Sequence, residues 1–334
     1  MPQPQPQPQP DSRPQPQPQP DSATQTAATA SARAVVVLDL GAGTGSNLRF
    51  LAPRLGGLQC WHLTDHDVRL LVAARRETAR WASARGGAPP PKASASSAST
   101  AAASTSAVDP PAATGQATDA SVASGSTVDA ARRPHAFSAA GADVRDGWSV
   151  DAIPLPQDLR ALDRLPFDRA NLVTASALLD LVGEAWLREL VVRCAAAGAA
   201  VLWSLDVDGR VRIAPADRAD RIVLRDFGRD ARRDKGLGYA LSSQAGRRAA
   251  ALLVTAGYHV ILARSDWRIG ASQAAFANAL LAGWAAAATA ARPSRARIHA
   301  AWLRRRRESL MRRRVRILVG HTELVGWPRR ARGA

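Results

Sequence analysis

The chain has 334 residues and a formal net charge of +17, a balance that makes nucleic acid a partner to consider. It has two cysteines, and its first residues lack the apolar run of a signal peptide. These features exclude a disulfide framework, and we expect a reducing, cytoplasmic location.

Two segments are too poor in apolar residues to add to a core. Residues 1–33 are a Pro-Gln repeat followed by a Ser/Thr/Ala run, which predicts a disordered, polyproline-like tail. Residues from about 86 to 131 contain no Leu, Ile or aromatic side chain, so we expect a disordered insertion. The remaining ~255 residues suit one domain, at 34–325, with a basic C-terminal tail at 326–334.

The domain begins with a nucleotide-binding pattern. Residues 35–40 predict a strand buried on both faces, and glycines follow at 41, 43 and 45, before an amphipathic helix. Glycines allow backbone amides to approach a ligand at a helix N-terminus. A dinucleotide fingerprint would need a third small residue at position 46, where this chain has Ser46.

The next predicted strand, 60–64, ends at an acidic residue. Asp65 lies 20 residues after Gly45, which is the spacing at which such units place an acid that accepts hydrogen bonds from ribose hydroxyls. Asp67 is predicted to cap the following helix. We predict no metal site here, because the strand-to-helix bend separates His62 from His66 and no other cluster completes a ligand shell.

The run D-x-G-x-G-x-G from Asp39 to Gly45, followed by Asp65, resembles motif I and the ribose acid of class I S-adenosylmethionine (AdoMet) methyltransferases. The resemblance covers about residues 34–265. It implies AdoMet as cofactor and an α/β fold, a Rossmann-like, doubly wound sheet of seven strands whose last strand inserts antiparallel beside the sixth. It also implies that His66 lies against the adenine.

A short strand at 137–142, closed by Asp143, resembles the segment where this family recognises adenine; the alternative is that Asp143 begins a turn. The predicted cofactor-binding residues are therefore Asp39, Gly41, Gly43, Gly45, Asn47, Asp65, His66, Asp143, Val144 and Thr174.

Strands and helices continue to alternate, which predicts a parallel sheet covered on both faces. The expected elements are a strand at 168–176, a helix at 184–197, a strand at 199–207 with a turn at 208–209, a helix at 243–256, a strand at 258–264, a helical insertion at about 272–314, and a last strand at 315–319 followed by 321–325.

Ligands of open α/β sheets bind beyond the carboxyl ends of the strands. The substrate-binding candidates there are Ser176, Asp180, Asp206, Asp208 and Tyr239. Tyr239 ends a loop at 225–239, which is either a cap over the substrate or a solvated connection.

The helical insertion carries apolar stripes that are typical of core contacts. Its uncharged run at 274–291 is long, but it is mostly alanine and contains Asn278, so we predict a soluble helix and no membrane partner.

The basic charge is concentrated near the end, since residues 292–334 hold 14 arginines and two glutamates. Only Lys92 and Lys235 among the 45 basic residues are lysine, so the charge matches a composition bias of the whole chain. Residues 174–177 lack the Asn/Asp-Pro-Pro-aromatic motif of amino-methyltransferases that act on bases. Cys60 and Cys194 lack the Pro-Cys context of cytosine-C5 enzymes, and both are predicted to be structural.

The prediction is a methyltransferase that transfers the AdoMet methyl group to a small molecule by direct in-line displacement. The alternatives are an RNA methyltransferase that uses the arginine-rich region, or a non-catalytic AdoMet-binding module. No catalytic residue, metal or oligomeric state is predicted.

Overall fold

The computed structural model describes residues 34–84, 136–141 and 147–329. The predicted tail at 1–33, the insertion at about 86–131 and residues 330–334 lie outside these ranges. The elements are β1 Val35–Leu40, α1 Ser46–Leu55, β2 Gly57–Asp65, α2 Val68–Ser83, β3 Phe137–Gly141, β4 Trp148–Pro156, β5 Leu172–Ser176, α3 Glu184–Ala197, β6 Ala200–Ala214, α4 Asp220–Ala231, α5 Ala245–Thr255, β7 Tyr258–Arg264, β8 Trp267–Ile269, α6 Ala274–Ala291, α7 Ala296–Met311 and β9 Arg316–Pro328.

The strands form one sheet in the order β3-β4-β2-β1-β5-β6-β9-β7, with β8 paired to β9. Neighbouring strands from β4 to β6 are parallel, whereas β9 is antiparallel to both β6 and β7. The predicted doubly wound, Rossmann-like sheet with an antiparallel last strand is therefore confirmed. Nine strands replace the expected seven, because β3 and β8 extend it.

Alternation along β1 explains why helices cover both faces of this sheet. Val37 packs into one core cluster with Trp61 and Leu63, and Leu38 packs into a second cluster with Val173. All five side chains are fully buried.

The third parallel strand is not where the sequence predicted it. The segment from Phe137 to Gly141 forms an antiparallel edge strand against the start of β4, and β4 itself takes the parallel place beside β2. Two prolines, Pro154 and Pro156, hide β4 in the sequence, because proline cannot donate to a ladder. Among the described residues, β4 beyond Ala152 pairs only with β2, so an open side remains for them.

The predicted turn at 208–209 is also wrong, because β6 continues to Ala214. The register with β9 shifts between Val207 and Val211, and Gly209 has φ +83°, so these turn residues form a bulge within a long strand. β9 likewise continues to Pro328, which places 326–328 in the sheet rather than in a tail.

The predicted loop at 225–239 begins as a helix. α4 runs to Ala231, and only the following residues connect it to α5. Helix α4 packs on α6 and α7 in a separate apolar cluster that includes Val223, Leu281, Trp284 and Trp302. We call this unit, α4, α6 and α7 with β8, the cap.

Among the described residues, one stretch, Ala271–Ala291, is long and apolar enough to cross a membrane by length and composition alone. It contains α6, whose residues Ala277, Leu281, Trp284, Ala285 and Ala288 are buried in the structure.

Candidate functional site

The glycine turn after β1 has the backbone that its sequence predicts. Gly41, Gly43 and Gly45 have φ values of +65°, +54° and +77°, a region that L side chains rarely adopt. A Cβ added at Gly43 would meet nothing within 4 Å, whereas one at Gly45 would lie 3.2 Å from Ala74 on α2. Gly45 thus allows the two helices to pack closely, and Gly43 leaves open space above the turn.

Asp65 closes this space from the end of β2. Its Oδ2 accepts a hydrogen bond from the amide of Gly43 at 3.0 Å, and its Oδ1 accepts one from the amide of Asp67 at 2.9 Å. Beside it, the His66 side chain is 82% exposed. Asp67 caps α2 as predicted, by accepting from the Arg69 amide.

Three other predicted cofactor residues form a buried network beneath the turn. Asn47 Nδ2 donates to Asp39 Oδ1 at 2.9 Å and to Thr174 Oγ1 at 3.0 Å. Burial raises the pKa of Asp39 to about 7, and its Oδ2 has no hydrogen-bond partner among the described residues. This network holds α1 against β1 and β5, and leaves one acceptor unused.

A cleft of about 480 Å³ lies against the turn. Its lining includes Gly41, Asp65 and His66 of the predicted set, and it adds Asp158 and Leu159, which directly follow β4. Arg160 donates to the Asp158 carboxylate, so the pKa of that carboxyl is lowered.

Sequence reasoning missed Asp158 because it missed β4. The segment 142–146, with Asp143 and Val144, lies outside the described residues. The flanking Gly147 accepts a hydrogen bond from Gly57 at the start of β2, which is the sheet edge opposite the glycine turn. Asp158 lies just after the carboxyl end of the third parallel strand, the kind of position that the sequence analysis gave to Asp143; the roles of Asp143 and Val144 stay predictions.

The connection after α4 covers one side of the cleft. Lys235, Gly236 and Leu237 line it, and the Leu237 carbonyl accepts a hydrogen bond from Gly183 at 2.8 Å. A Cβ on Gly183 would lie 2.9 Å from the Leu237 oxygen, so only glycine permits this contact. The end of the segment at 225–239, which the sequence left open between a cap and a solvated connection, thus contributes these residues to the cleft.

A larger cavity, of about 750 Å³, lies between the cap and the sheet. Among the described residues, the non-glycine positions with positive φ are Ala177, Leu205, Ser242 and Arg313, and the first three line this cavity. Strained backbone of this kind clusters at functional sites. Ala177 directly precedes Leu178, which lines the smaller cleft, so one short segment separates the two.

Two of the predicted substrate residues are carboxyls near this segment. Asp180 lines the cavity, and burial raises its pKa to about 6. Asp206 is 1% exposed and lies behind the wall, where its Oδ1 accepts from the Leu179 amide at 3.0 Å. Burial first, and then the charge of Asp180, raise the pKa of Asp206. Asp206 therefore positions the segment and does not face the cavity.

The other three substrate candidates line neither cavity. Ser176 is half-buried and pairs with Ser204 between β5 and β6. Asp208 forms an ion pair with Arg210, which does line the larger cavity. Tyr239 is 82% exposed.

Several arginines of the C-terminal region are used inside the cap. Arg305 donates to both carboxylate oxygens of Asp217, at 2.7 and 2.8 Å. Arg306 is 2% exposed and pairs with Asp220. Arg295 binds Asp226, which is fully buried.

Within residues 34–84, 136–141 and 147–329, no group of three His, Cys, Asp or Glu side chains is placed to hold a metal ion.

The strand order, the antiparallel last strand and the glycine turn at the carboxyl ends of the parallel strands define the fold of class I AdoMet-dependent methyltransferases. No protein-family model and no curated protein matches the chain.

Solved methyltransferase structures are similar to it at low identity. One is a Geobacter sulfurreducens SAM-dependent methyltransferase with S-adenosylhomocysteine, at 13% identity and TM-score 0.36, covering 89% of this chain and 85% of that one. Another is a Bacillus halodurans methyltransferase described by sequence assignment, at 11% identity and TM-score 0.40, covering 88% and 91%.

A third is Haemonchus contortus phosphoethanolamine N-methyltransferase 2, at 8% identity and TM-score 0.36. The match covers 89% of this chain but only 50% of that enzyme, so the chain spans half its length. Scores this low identify neither an activity nor a substrate for this chain.

Proposed function

We propose that the protein is an AdoMet-dependent methyltransferase that acts on a small molecule. The observation that carries the proposal is the open glycine turn beside Asp65, in a cleft that adjoins a larger cavity across one short segment. Such a pair of spaces suits a cofactor and an acceptor that must meet end to end.

The residues of the glycine turn and of the cleft beside it fit AdoMet. Gly43 leaves room for a ligand to contact backbone amides. Each oxygen of Asp65 accepts one bond from the protein and has a further lone pair, which suits two ribose hydroxyls. The unpartnered Oδ2 of Asp39 is buried beneath the turn and outside the cleft lining, so we expect its partner to be a bridging water. Bound AdoMet supplies an activated methyl group on its sulfonium, so the protein needs chiefly to align the acceptor.

The larger cavity suits the acceptor. Its volume of about 750 Å³ lies within the range of small-molecule sites, about 300–1,000 Å³. Its wall lies beyond the carboxyl end of β5, next to where ligands of open sheets bind, and along β6 from Leu205 to Val211.

The test begins with calorimetry of the protein with AdoMet and with S-adenosylhomocysteine. It continues with a tritiated-methyl screen of metabolite and RNA fractions. We expect both ligands to bind and label to enter the metabolite fraction. Absence of AdoMet binding refutes the proposal, and binding without transfer to any fraction supports a non-catalytic module.

Asp180 is the carboxyl that we expect to accept a proton from the substrate. Because its pKa is raised to about 6, it is ionised above that pH, and methyl transfer to an acceptor that loses a proton should rise as pH passes about 6. Asp180→Asn should remove this limb of the pH profile and lower kcat by about 10²-fold. Asp168→Asn, whose side chain is 80% exposed, is the control. An unchanged profile in Asp180→Asn removes it from catalysis.

The arginine contacts favour the small-molecule proposal over RNA. Because Arg305 and Arg306 are paired inside the cap, the arginines left for phosphates are exposed ones, such as Arg304, Arg312 and Arg314. We expect conversion of these three to Gln to leave methyl transfer intact and RNA retention weak. Tight RNA binding whose slope of log K against log salt falls by about 0.7–0.9 per lost contact would instead support the RNA alternative.

A further inference from the structure

We propose that the larger cavity binds an acceptor that joins an anionic group to an apolar or aromatic body. The inference rests on the proposed function and specifies its substrate class. The anionic group lies at the arginines of α4, the body packs between the cap and the sheet, and the end to be methylated points to the segment Ala177–Asp180.

Three arginines form a stripe along α4 and its C-cap. Arg225, Arg229 and Arg232 are spaced by four and three residues, so they share one face of the helix, and all three line the cavity. The side chains of Arg229 and Arg232 have no hydrogen bond or ion pair within the described part of the chain, and that of Arg225 has only a loose approach of 3.9 Å to Asp226. Their guanidinium groups are free to bind a carboxylate or phosphate.

The fourth arginine in the lining of this cavity is neutralised, unlike the three exposed arginines of the stripe. Arg210, at the sheet side of the same cavity, binds both Asp208 and Asp266. The one carboxylate in the cavity lining is Asp180, near the cofactor cleft rather than on α4. The cap side of the cavity is therefore positively charged with no internal counter-ion, a field that selects anionic ligands.

The wall beside the stripe is aromatic and apolar. Trp267, Trp284, Phe227 and Leu280 all line the cavity. The rings of Phe227 and Trp284 have centroids 6.0 Å apart, and Trp267 lies 4.5 Å from His321, so the wall is held by its own ring contacts. Surfaces of this kind bind the body of a ligand through burial, while a few polar groups fix its orientation.

A glycine lies in the middle of the stripe. Gly228 lines the cavity, and a Cβ added there would meet nothing within 4 Å. A larger side chain at this position would therefore extend into the space beside the stripe, which provides a way to block the cavity.

The test is calorimetry on the full-length protein without AdoMet, with 2-naphthoate and its neutral analogue 2-naphthamide as probes. We expect naphthoate to bind about tenfold more tightly or better, because charge-assisted hydrogen bonds to arginine discriminate between the two. Combined Arg229→Gln and Arg232→Gln should reduce naphthoate to the affinity of naphthamide. Arg221→Gln, an exposed arginine of α4 outside the cavity lining, is the matched control and should change nothing.

Gly228→Leu should weaken both probes by about tenfold or more without lowering the melting temperature, since leucine is the better helix former. Equal affinity for the two probes, no binding of either, or an equal loss in Arg221→Gln would overturn the inference. S-adenosylhomocysteine titrated separately keeps the two proposals distinct. If it binds and naphthoate does not, the substrate class is wrong and the cofactor assignment stands; if only naphthoate binds, the anion site stands and the methyltransferase proposal fails.

Discussion

We expect Asp65→Ala to weaken AdoMet binding by about 1.5–3 kcal/mol, or about ten- to hundredfold in Kd, measured by calorimetry. The alanine removes a charged acceptor for the ribose hydroxyls. It also releases the amide of Gly43, which Asp65 holds at 3.0 Å, so the turn itself loses a fixed point. Both effects weaken AdoMet binding, so we expect a loss of binding free energy of about 3 kcal/mol.

The control for this variant is Asp67→Ala, two residues away. Asp67 caps α2 but lines neither cavity, so its loss should cost about 1 kcal/mol of stability and leave AdoMet affinity unchanged. Gly43→Val is the companion variant. The free protein has space there, although φ +54° is strained for valine, and the side chain would occupy the ligand's position. Full AdoMet affinity in Asp65→Ala would remove Asp65 from the site.

The local signals in the sequence predicted the strand, the glycine turn and the acid that lie together on one side of the cleft. A buried strand, a glycine turn and an acid at the next strand end lie within about thirty residues, and their chemistry depends on backbone geometry that the residues themselves impose. The sequence also predicted Asp67 as the N-cap of α2 and an antiparallel last strand, and both predictions are confirmed.

The other side of the cleft could not be predicted, because it depends on strand pairing between residues that are distant in the sequence. β4 contains Pro154 and Pro156, and proline argues against a strand unless one side of that strand is unpaired, which the sequence does not reveal. Because β4 was not predicted, Asp158 and Leu159, which follow it, were not predicted as cleft residues either. The loop expected at 225–239 was misread for a related reason, because Gly228 and many charges suggest a connection, while packing on α6 and α7 makes it a helix.

The ion pairs of the C-terminal arginines were the feature that the sequence predicted least well. Nothing in the run at 304–307 tells which side chains face solvent, because the partners Asp217 and Asp220 lie more than 80 residues earlier in the chain. Unpaired arginines would be free to bind phosphates, whereas paired arginines stabilise the cap. Arg304 is exposed and Arg306 is paired with Asp220, so variants at these two neighbouring positions test the two roles directly.

Arg306→Ala should therefore lower the free energy of unfolding by about 3–5 kcal/mol, the usual cost of removing one partner from a buried ion pair. Arg306 Nη1 donates to the Pro215 carbonyl at 2.6 Å and Nη2 donates to both oxygens of Asp220, so alanine removes the cation and leaves the carboxylate with neutral donors from Trp302 and the Asp217 amide. Arg304→Ala, two residues earlier and exposed, should change stability by less than about 0.5 kcal/mol.

Thermal unfolding of the two variants measures the difference, with an expected separation of about 6–15 °C for a domain of this size. Arg306→Lys should recover little of the loss, because an ammonium group cannot reproduce the planar guanidinium, which reaches the Pro215 carbonyl with one nitrogen and Asp220 with another. If Arg306→Ala instead melts with the parent protein and loses RNA retention, the arginine run serves a polyanion and the cap does not depend on it. Equal destabilisation by Arg304→Ala would contradict the role of the Arg306–Asp220 ion pair, because of these two arginines only Arg306 is buried.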